Sequence, residues 1–468
     1  MESTSYNRYD STVGAYYIEN FGCRAAQADG SAIERQLASR GMRRVSAAIE
    51  AELVVLNTCT VTSAADQDAR SAIRRVHRAH PEARILVTGC YAQRAPEEIS
   101  ALAGVSWVVG NSHKHCIGDI ISGFPTTESK AFVPLSALNH RQNGGPVTAN
   151  LAPQTYASDI FAHTELRSAP VFDGIERTRP NLKVQDGCDN RCSFCVIPYV
   201  RGHSRSLKAP EILREIEALE AAGYREVVIS GINLGRWGRD FAAPKRFFEL
   251  LETILKSTSI AKLRLSSVEP MDWTDDLIAL MKSSSRIAKH AHIPLQSGSD
   301  RILRKMHRKY RPWHYRAKVE TIRSAMPDAA IGADVMVGFP GETDALFEES
   351  RSFIAQLPFT YLHVFTYSPR PGTPAAEIRE QVPIQVARER NRMLREIAAE
   401  KNLAFRGTFL GRTVEAITLK QGEEGQTEAL TDNYLKLQIR GKHEPNRWMN
   451  ASVDYVTEQG LLGDWATS

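Results

Sequence analysis

The sequence predicts an α/β protein in three parts: an N-terminal doubly wound parallel sheet, a central partial (β/α)6 barrel and a small C-terminal β-barrel. Three observations predict it. From Ala15 to about Gly123, strand-like apolar runs alternate with amphipathic helical stretches. After a stretch without periodicity the alternation resumes and yields six further strand candidates over about 220 residues, enough for a closed or partly open barrel. From Gly407 onward short strand-like runs replace it. The length, 468 residues, accords with about three domains at roughly 150 residues each.

The elements follow in order. AYYIEN (15–20) is a β-rich run, and AIERQLASRG is an amphipathic helix closed by Gly41. ELVVLN is a buried strand, followed by a long basic helix through ARSAIRRVHRAH that Pro81 ends. ARILVTG and SWVVG are the third and fourth strands, and the unit closes near residue 123. Residues 124–178 are rich in Pro, Gly, Asn and Thr and read as a linker with at most one short ordered piece. The barrel, 179–404, takes its strands from LKVQDG, REVVISG, KLRLSS, HIPLQSG, AIGADVMVGF and YLHVFTYS. Helices such as APEILREIEALEAAG and ALFEESRSFIAQL lie between them. A last helix, VARERNRMLREIAAEKNLAFR, leads to the C-terminal module, 405–468, with strands in TVEAITLK, LKLQIRG and MNASVDYVTEQG.

Composition excludes several classes. With 42% hydrophobic and 24% charged residues, the chain is neither collagen-like, low-complexity nor disordered. No run approaches the ~20 apolar residues of a membrane span. The polar opening MESTSYNRYD lacks an apolar signal core and predicts a cytoplasmic protein. A net charge of +5 permits a nucleic-acid partner without requiring one.

Seven cysteines, an odd number, argue against a disulfide framework in a cytosolic chain of this size. Cys188, Cys192 and Cys195 stand in QDGCDNRCSFCVIPYVRG with spacing Cys-x3-Cys-x2-Cys, just after the first barrel strand. Three thiolates on one loop can hold three irons of a 4Fe–4S cluster and leave the fourth iron open to a small ligand. A structural zinc site would want paired knuckles and a fourth ligand. Cys23, Cys59 and Cys90 are dispersed, 36 and 31 residues apart, about one βα unit each. Each follows a successive strand at the edge where doubly wound sheets bind ligands, so the three are candidates for a second cluster with one open iron. Cys116 has no equivalent position and reads as a free structural cysteine.

The Cys-x3-Cys-x2-Cys loop resembles that of the radical S-adenosylmethionine (SAM) superfamily. The resemblance implies that the open iron chelates SAM, that reductive cleavage gives a 5′-deoxyadenosyl radical, and that Phe194 backs the adenine. Together the three parts resemble the methylthiotransferase family over about residues 14–465. EALTDNYLKLQIRG is similar to a TRAM domain, a small RNA-binding β-barrel. Within the family, NTCTVT, VTGCYAQ, HIPLQSGSDRILRKMHRKY and DVMVGFPGET look most like the MtaB-type branch, which acts on N6-threonylcarbamoyladenosine at tRNA position 37. Ala26 departs from the Asn that many members carry before the Gln.

The resemblance implies two 4Fe–4S clusters, SAM, and insertion of a methylthio group at carbon 2 of the adenine. The partners it implies are a tRNA anticodon stem-loop and an electron donor of flavodoxin or ferredoxin type. It leaves the sulfur source open, and a monomer is the default. By analogy with the superfamily, Gly231, Asn233, Ser267, Glu269, Gln296 and Gly338, all after strands at the barrel mouth, contact SAM. Basic residues between Arg301 and Arg311 have no acid among them and interleave with Tyr310, Trp313 and Tyr315. Of these, Arg304, Lys305, Arg308, Lys309 and Arg311 are expected at RNA. Rival readings are isopentenyladenosine or a ribosomal protein aspartate as substrate, a non-catalytic iron–sulfur RNA-binding regulator, and a zinc-binding RNA module.

Overall fold

A computed structural model describes residues 14–122, 153–164, 166, 178–422 and 425–466. Contact density divides the chain into two compact units, the first running to Ile160 and the second from Phe161, with Val61–Ser63 grouped with the second.

The first unit is built on a six-stranded sheet: β1 (Ala15–Asn20), β2 (Arg43–Arg44), β3 (Leu53–Thr58), β4 (Arg84–Gly89), β5 (Val105–Gly110) and β6 (Gln154–Tyr156). Their order is β2-β1-β3-β4-β5-β6, with every pair parallel. Residues of β3 alternate between two cores. Val54 and Leu56 pack with Ile73, Val76, Ile85 and Val87 on one face. Leu53 and Val55 pack with Ile18, Ile33, Leu37 and Leu86 on the other. Burial on both faces is why these strands read as continuous apolar runs, as parallel sheets do. The helices Arg24–Ala38 and Ser63–Ala79 supply the covering.

One expected boundary moves. The unit does not close at 123, because β6, inside the 124–178 stretch, pairs with β5 through Trp107, Val108 and Val109. A three-residue strand of QTY has no hydrophobic pattern to betray it. Most of 124–178 lies outside the described residues.

The second unit opens with six parallel strands: β7 (Asn181–Asp186), β9 (Glu226–Gly231), β10 (Lys262–Leu265), β11 (His290–His292), β12 (Ala330–Val337) and β13 (Tyr361–Thr366). They stand in sequence order, with a short antiparallel β8 (Arg205–Ser206) beside β7. A parallel bridge between Leu263 and Ile287 joins the two halves between β10 and β11. One large core of Val184, Ile229, Leu263, Ile293, Ile331 and their neighbours fills the layer between strands and helices. The interior face of the strands is polar by contrast: Glu226, Lys262, Arg264, His290 and His292 are all buried.

The fourth strand is displaced from its expected place. HIPLQSG contributes only its first residue, and the rest is loop: Gln296 has φ 64°, and its backbone bridges Val335. The strand is HAH, whose polar alternate positions gave no apolar signal.

The helix Ile384–Gly407 runs through the expected 404/405 boundary. Beyond it, β14 (Thr413–Gln421), β15 (Gln426–Thr431), β16 (Lys436–Arg440), β17 (Trp448–Val456) and β18 (Leu461–Trp465) close a five-stranded barrel in the order β14-β15-β16-β18-β17. Its core holds Ala416, Leu437, Ile439, Ala451 and Val453. The barrel is tied to the foot of the parallel strands by buried cations. Arg264 pairs with Glu226 at 2.7 Å and donates to the backbone oxygen of Asp432 at 3.0 Å. Lys262 reaches Glu415 at 2.7 Å.

Candidate active site

The Cys188–Cys195 loop leaves the carboxyl end of β7, where parallel barrels place their chemistry. Gly187, just before Cys188, has φ 73°, and a Cβ there would stand 1.9 Å from the His203 carbonyl oxygen. Only glycine lets the chain turn at that point. Backbone bonds then shape the loop: Cys188 N donates to Gly202 O and Cys195 N to Cys192 O, both at 3.1 Å. Ser193 Oγ donates to Lys305 O at 2.7 Å, and Ser193 N to Met306 O at 3.1 Å. The short helix Asp300–Lys305 thus holds the loop from below.

Two side chains donate to the thiols. Asn233 Nδ2 lies 3.6 Å from Cys188 Sγ, and Arg308 Nη1 lies 3.3 Å from Cys192 Sγ. Arg308 is buried, forms an ion pair with Glu269, and stands over the Tyr310 ring at 4.9 Å. Burial raises the Cys188 thiol, partly opposed by hydrogen bonds from Asn190 and Asn233. Burial, with Cys192 nearby, pushes Cys195 up to about 12. Both are therefore neutral thiols without metal, and binding iron releases their protons.

The residues fit a cluster. Three thiols share one loop, sulfur-directed donors are in place, and Asn233 Oδ1, on the side chain that reaches Cys188, is a buried acceptor without a hydrogen bond.

The first unit brings its three cysteines to one edge. β1, β3 and β4 are neighbours, with Asn20 opposite Asn57 and Thr58 opposite Gly89. Cys59 directly follows β3, Cys90 directly follows β4, and Cys23 caps the helix after β1. A Cβ on Gly22, φ 99°, would meet Cys59 Cβ at 2.8 Å and Sγ at 2.9 Å. The Cys23 turn therefore rests directly on Cys59. Asn111 Nδ2 lies 3.6 Å from Cys90 Sγ. Cys116 packs partly buried beside the Ile18–Leu37 core.

The other expected residues divide. Phe194 packs edge-on to Phe339, ring centroids 6.5 Å apart. Gly231 ends β9 against Gln185, whose Oε1 accepts from Asn233 N at 2.7 Å. Ser267 Oγ is 2.7 Å from His292 Nδ1, and Gln296 is partly exposed. Gly338 faces a helix: its Cβ would strike Ala387 Cβ at 2.5 Å, so packing alone demands glycine there.

The basic stretch is the main correction. Arg308, expected at RNA, points inward at Cys192, and Tyr310 and Tyr315 are core residues, while Trp313 is exposed. Arg304 pairs with Asp300, Lys305 with Glu380 and Arg311 with Asp300, at 2.8, 2.8 and 3.3 Å. Lys309 is exposed and lines a cleft with Asn190, Cys192, Glu269 and His307. A run of like charges says nothing of which members face a polar barrel interior. The lysine-then-tyrosine flank of Arg308 was the one hint, since Tyr310 ends an apolar-spaced series.

Comparison with known proteins agrees with this architecture. Residues 15–110 match the family described as Uncharacterized protein family UPF0004, and residues 182–354 match the Radical SAM superfamily. That superfamily works with a 4Fe–4S cluster and SAM. The chain is similar to the threonylcarbamoyladenosine tRNA methylthiotransferase MtaB of Aquifex aeolicus, 34% identical over 93% of this chain and 99% of that one. Its namesake in Bacillus subtilis is 34% identical over 91% and 90%. The tRNA-2-methylthio-N(6)-dimethylallyladenosine synthase of Thermobifida fusca is 32% identical over 94% and 83%. Among solved structures, the radical SAM methyltransferase TsrM of Kitasatospora setae, with cobalamin and a [4Fe-4S] cluster bound, shares the fold. Its TM-score is 0.54 at 14% identity, covering 77% of this chain and 76% of that one. Among the described residues no helix is long and apolar enough to cross a membrane. The chain belongs to the radical-SAM methylthiotransferase family of tRNA-modifying enzymes.

Proposed function

We propose that this chain adds a methylthio group to carbon 2 of N6-threonylcarbamoyladenosine at tRNA position 37, in the cytoplasm, using two 4Fe–4S clusters and SAM. The observation that carries the reading is the presence in one chain of two three-cysteine loci, each at the carboxyl edge of a parallel sheet. Relatives of the threonylcarbamoyl and dimethylallyl types are similar to nearly the same degree, 34% and 32%. The choice of nucleoside therefore rests on NTCTVT, VTGCYAQ and DVMVGFPGET.

Cys188, Cys192 and Cys195 hold the SAM-binding cluster, and Cys23, Cys59 and Cys90 hold the second. Bound SAM and its cluster supply a radical able to take hydrogen from an unactivated ring carbon, which acid–base chemistry does not reach. The chain's own part is positioning. Asn233 and Arg308 fix two of the thiols. Glu269 balances the Arg308 charge, and the site's task is to hold cofactor and base together and keep water from the radical. Of the expected SAM contacts, Asn233 and Glu269 are the ones whose polar groups reach the cysteine loop or its arginine. Phe194, Gly231, Ser267, Gln296 and Gly338 complete the mouth. Lys309 and Trp313, with the ion-paired Arg304, Lys305 and Arg311, form the outer rim offered to an anticodon loop, whose splayed bases cost little to unstack. The protein works as a monomer with a flavodoxin- or ferredoxin-type donor.

The test is mass spectrometry of tRNA nucleosides from cells with and without the gene. Selective loss of 2-methylthio-N6-threonylcarbamoyladenosine is the expected result. Loss of the isopentenyl counterpart keeps the chemistry and moves the branch. No change in any methylthio nucleoside overturns the tRNA reading and turns attention to a ribosomal protein.

A further inference from the structure

A second set of donor atoms lies in the interior of the parallel strands, apart from all six cluster cysteines. His292 is the last residue of β11, Asp334 lies in β12 and His363 in β13, with Asp334 and His363 paired in register. Asp334 Oδ1 is 3.2 Å from His292 Nε2 and 3.4 Å from His363 Nδ1. All three donor atoms fall within 4.8 Å of one another.

His292 Nε2 is buried and lies 3.2 Å from the Asp334 carboxylate, which has the imidazoles of both His292 and His363 as partners. The other ring nitrogen, Nδ1, is 2.7 Å from Ser267 Oγ. That contact fixes the ring with Nε2 turned toward the carboxylate. Metal-bound histidines are held in this way through their second nitrogen. A tetrahedral ion with bonds of about 2.0–2.1 Å sets its ligand atoms about 3.3 Å apart, and both measured separations from Asp334 lie at that value.

We propose that His292 Nε2, Asp334 Oδ1 and His363 Nδ1 form a site for a divalent transition-metal ion of the zinc type. Two imidazoles and one carboxylate, without thiolate, suit Zn2+ or Fe2+ over the hard Mg2+ or Ca2+. Three protein ligands leave one position open, the pattern of zinc sites that keep a water or substrate oxygen. The opening lies on the side of His363, whose side chain is 56% exposed against 8% for His292. The ion carries no redox step. It neutralises the Asp334 carboxylate and takes up the His292 nitrogen that faces it.

The experiment uses the cluster-loaded full chain dialysed against Zn2+, with zinc and iron counted per chain for the native protein and for His363→Gln and Asp334→Asn. Zinc-edge anomalous diffraction from crystals of the same material locates the ion. One zinc equivalent in the native protein, lost in His363→Gln at unchanged iron content, with an anomalous peak among the three side chains, is the expected result. Ser267→Ala should weaken zinc binding by about 10–100-fold, as loss of an outer partner does. Equal zinc in the native protein and His363→Gln, or no peak at the site, overturns the proposal and leaves a solvated polar cluster. Because His363 is exposed, its replacement decides the matter even if Asp334→Asn fails to fold. Iron content reports on the cysteine loci separately, so failure here is distinguishable from failure of the proposed function.

Discussion

The two cysteine loci share a setting, the carboxyl edge of a parallel sheet, but they are assembled at different ranges. Cys188, Cys192 and Cys195 come from one loop, turned at Gly187 and held both by bonds within it and by Ser193 on Lys305 and Met306. Cys23, Cys59 and Cys90 follow three neighbouring strands and share one sheet edge only because β1, β3 and β4 are adjacent. The first locus is local, so a motif suffices to see it. The second is a product of topology, and the sequence shows it only through a spacing that matches the βα repeat. A local site survives strain elsewhere in the chain, whereas a dispersed one fails as soon as strand order or a single contact between turns is disturbed.

The largest test of that contrast is replacement of Cys188, Cys192 and Cys195 by Ala. SAM cleavage by the purified protein should fall to background, with iron reduced by about half if each locus holds one cluster. Persistent cleavage would remove the loop from its assigned role. Replacing Cys23, Cys59 and Cys90 by Ala should leave SAM cleavage measurable by release of 5′-deoxyadenosine, while methylthio product disappears. If sulfur still reached the tRNA, the dispersed locus would not be the auxiliary site, and the comparison would lose one of its two terms.

Arg308 sharpens the contrast from the side of the local site. Arg308→Met leaves the partly exposed Glu269 without its cation, so the cost in stability should fall below the roughly 3–5 kcal/mol of breaking a fully buried pair. It also removes the donor to Cys192 Sγ. Taking a cation and a hydrogen bond from a cluster sulfur makes the added electron less favourable. The midpoint potential of the SAM cluster should fall, and SAM cleavage should slow. Arg308→Lys, which keeps the charge, should recover part of the potential. A potential unchanged in both variants would reduce Arg308 to a packing role. At the dispersed locus the donor to compare is uncharged, Asn111 at Cys90.

Much of this was legible in the sequence, and what was not has a physical cause. Strands buried on both faces, such as ELVVLN and REVVISG, announce themselves because every residue is apolar. β6, β15 and β18 were missed because QTY, QTEALT and LLGDW are short and lack a sustained pattern. β11 was misplaced by two residues because its interior positions, His290 and His292, face a polar barrel lumen that sequence reasoning treats as solvent. The same lumen explains the misreading of Arg308. A cation next to Lys309 looks like surface until the fold turns it toward a thiol. The six cysteines stood out because their intervals fit one loop motif and the βα repeat. The partners that orient them, Asn233, Arg308 and Asn111, come from distant elements and carry no motif of their own.

The smallest expected effect separates the two loci most finely. Each has a left-handed glycine immediately before its first cysteine: Gly22 with φ 99° and Gly187 with φ 73°. Alanine at either position costs about 1–2 kcal/mol for the backbone alone, so both variants are strained to a similar degree. What differs is the neighbour that the new methyl group meets. At Gly187 it meets the His203 carbonyl, part of the same loop, and the loop must open, so SAM cleavage should suffer with everything downstream. At Gly22 it meets Cys59, on the next strand, and relief comes by pushing the Cys23 turn away from its partner. Gly22→Ala should therefore lower auxiliary iron and methylthio product together while leaving 5′-deoxyadenosine release intact. If Gly22→Ala instead depressed SAM cleavage as strongly as Gly187→Ala, the loci would not be separable by range of assembly. Strain in the sheet edge would then reach the barrel loop, and the distinction between a local and a topological site would not hold for this protein.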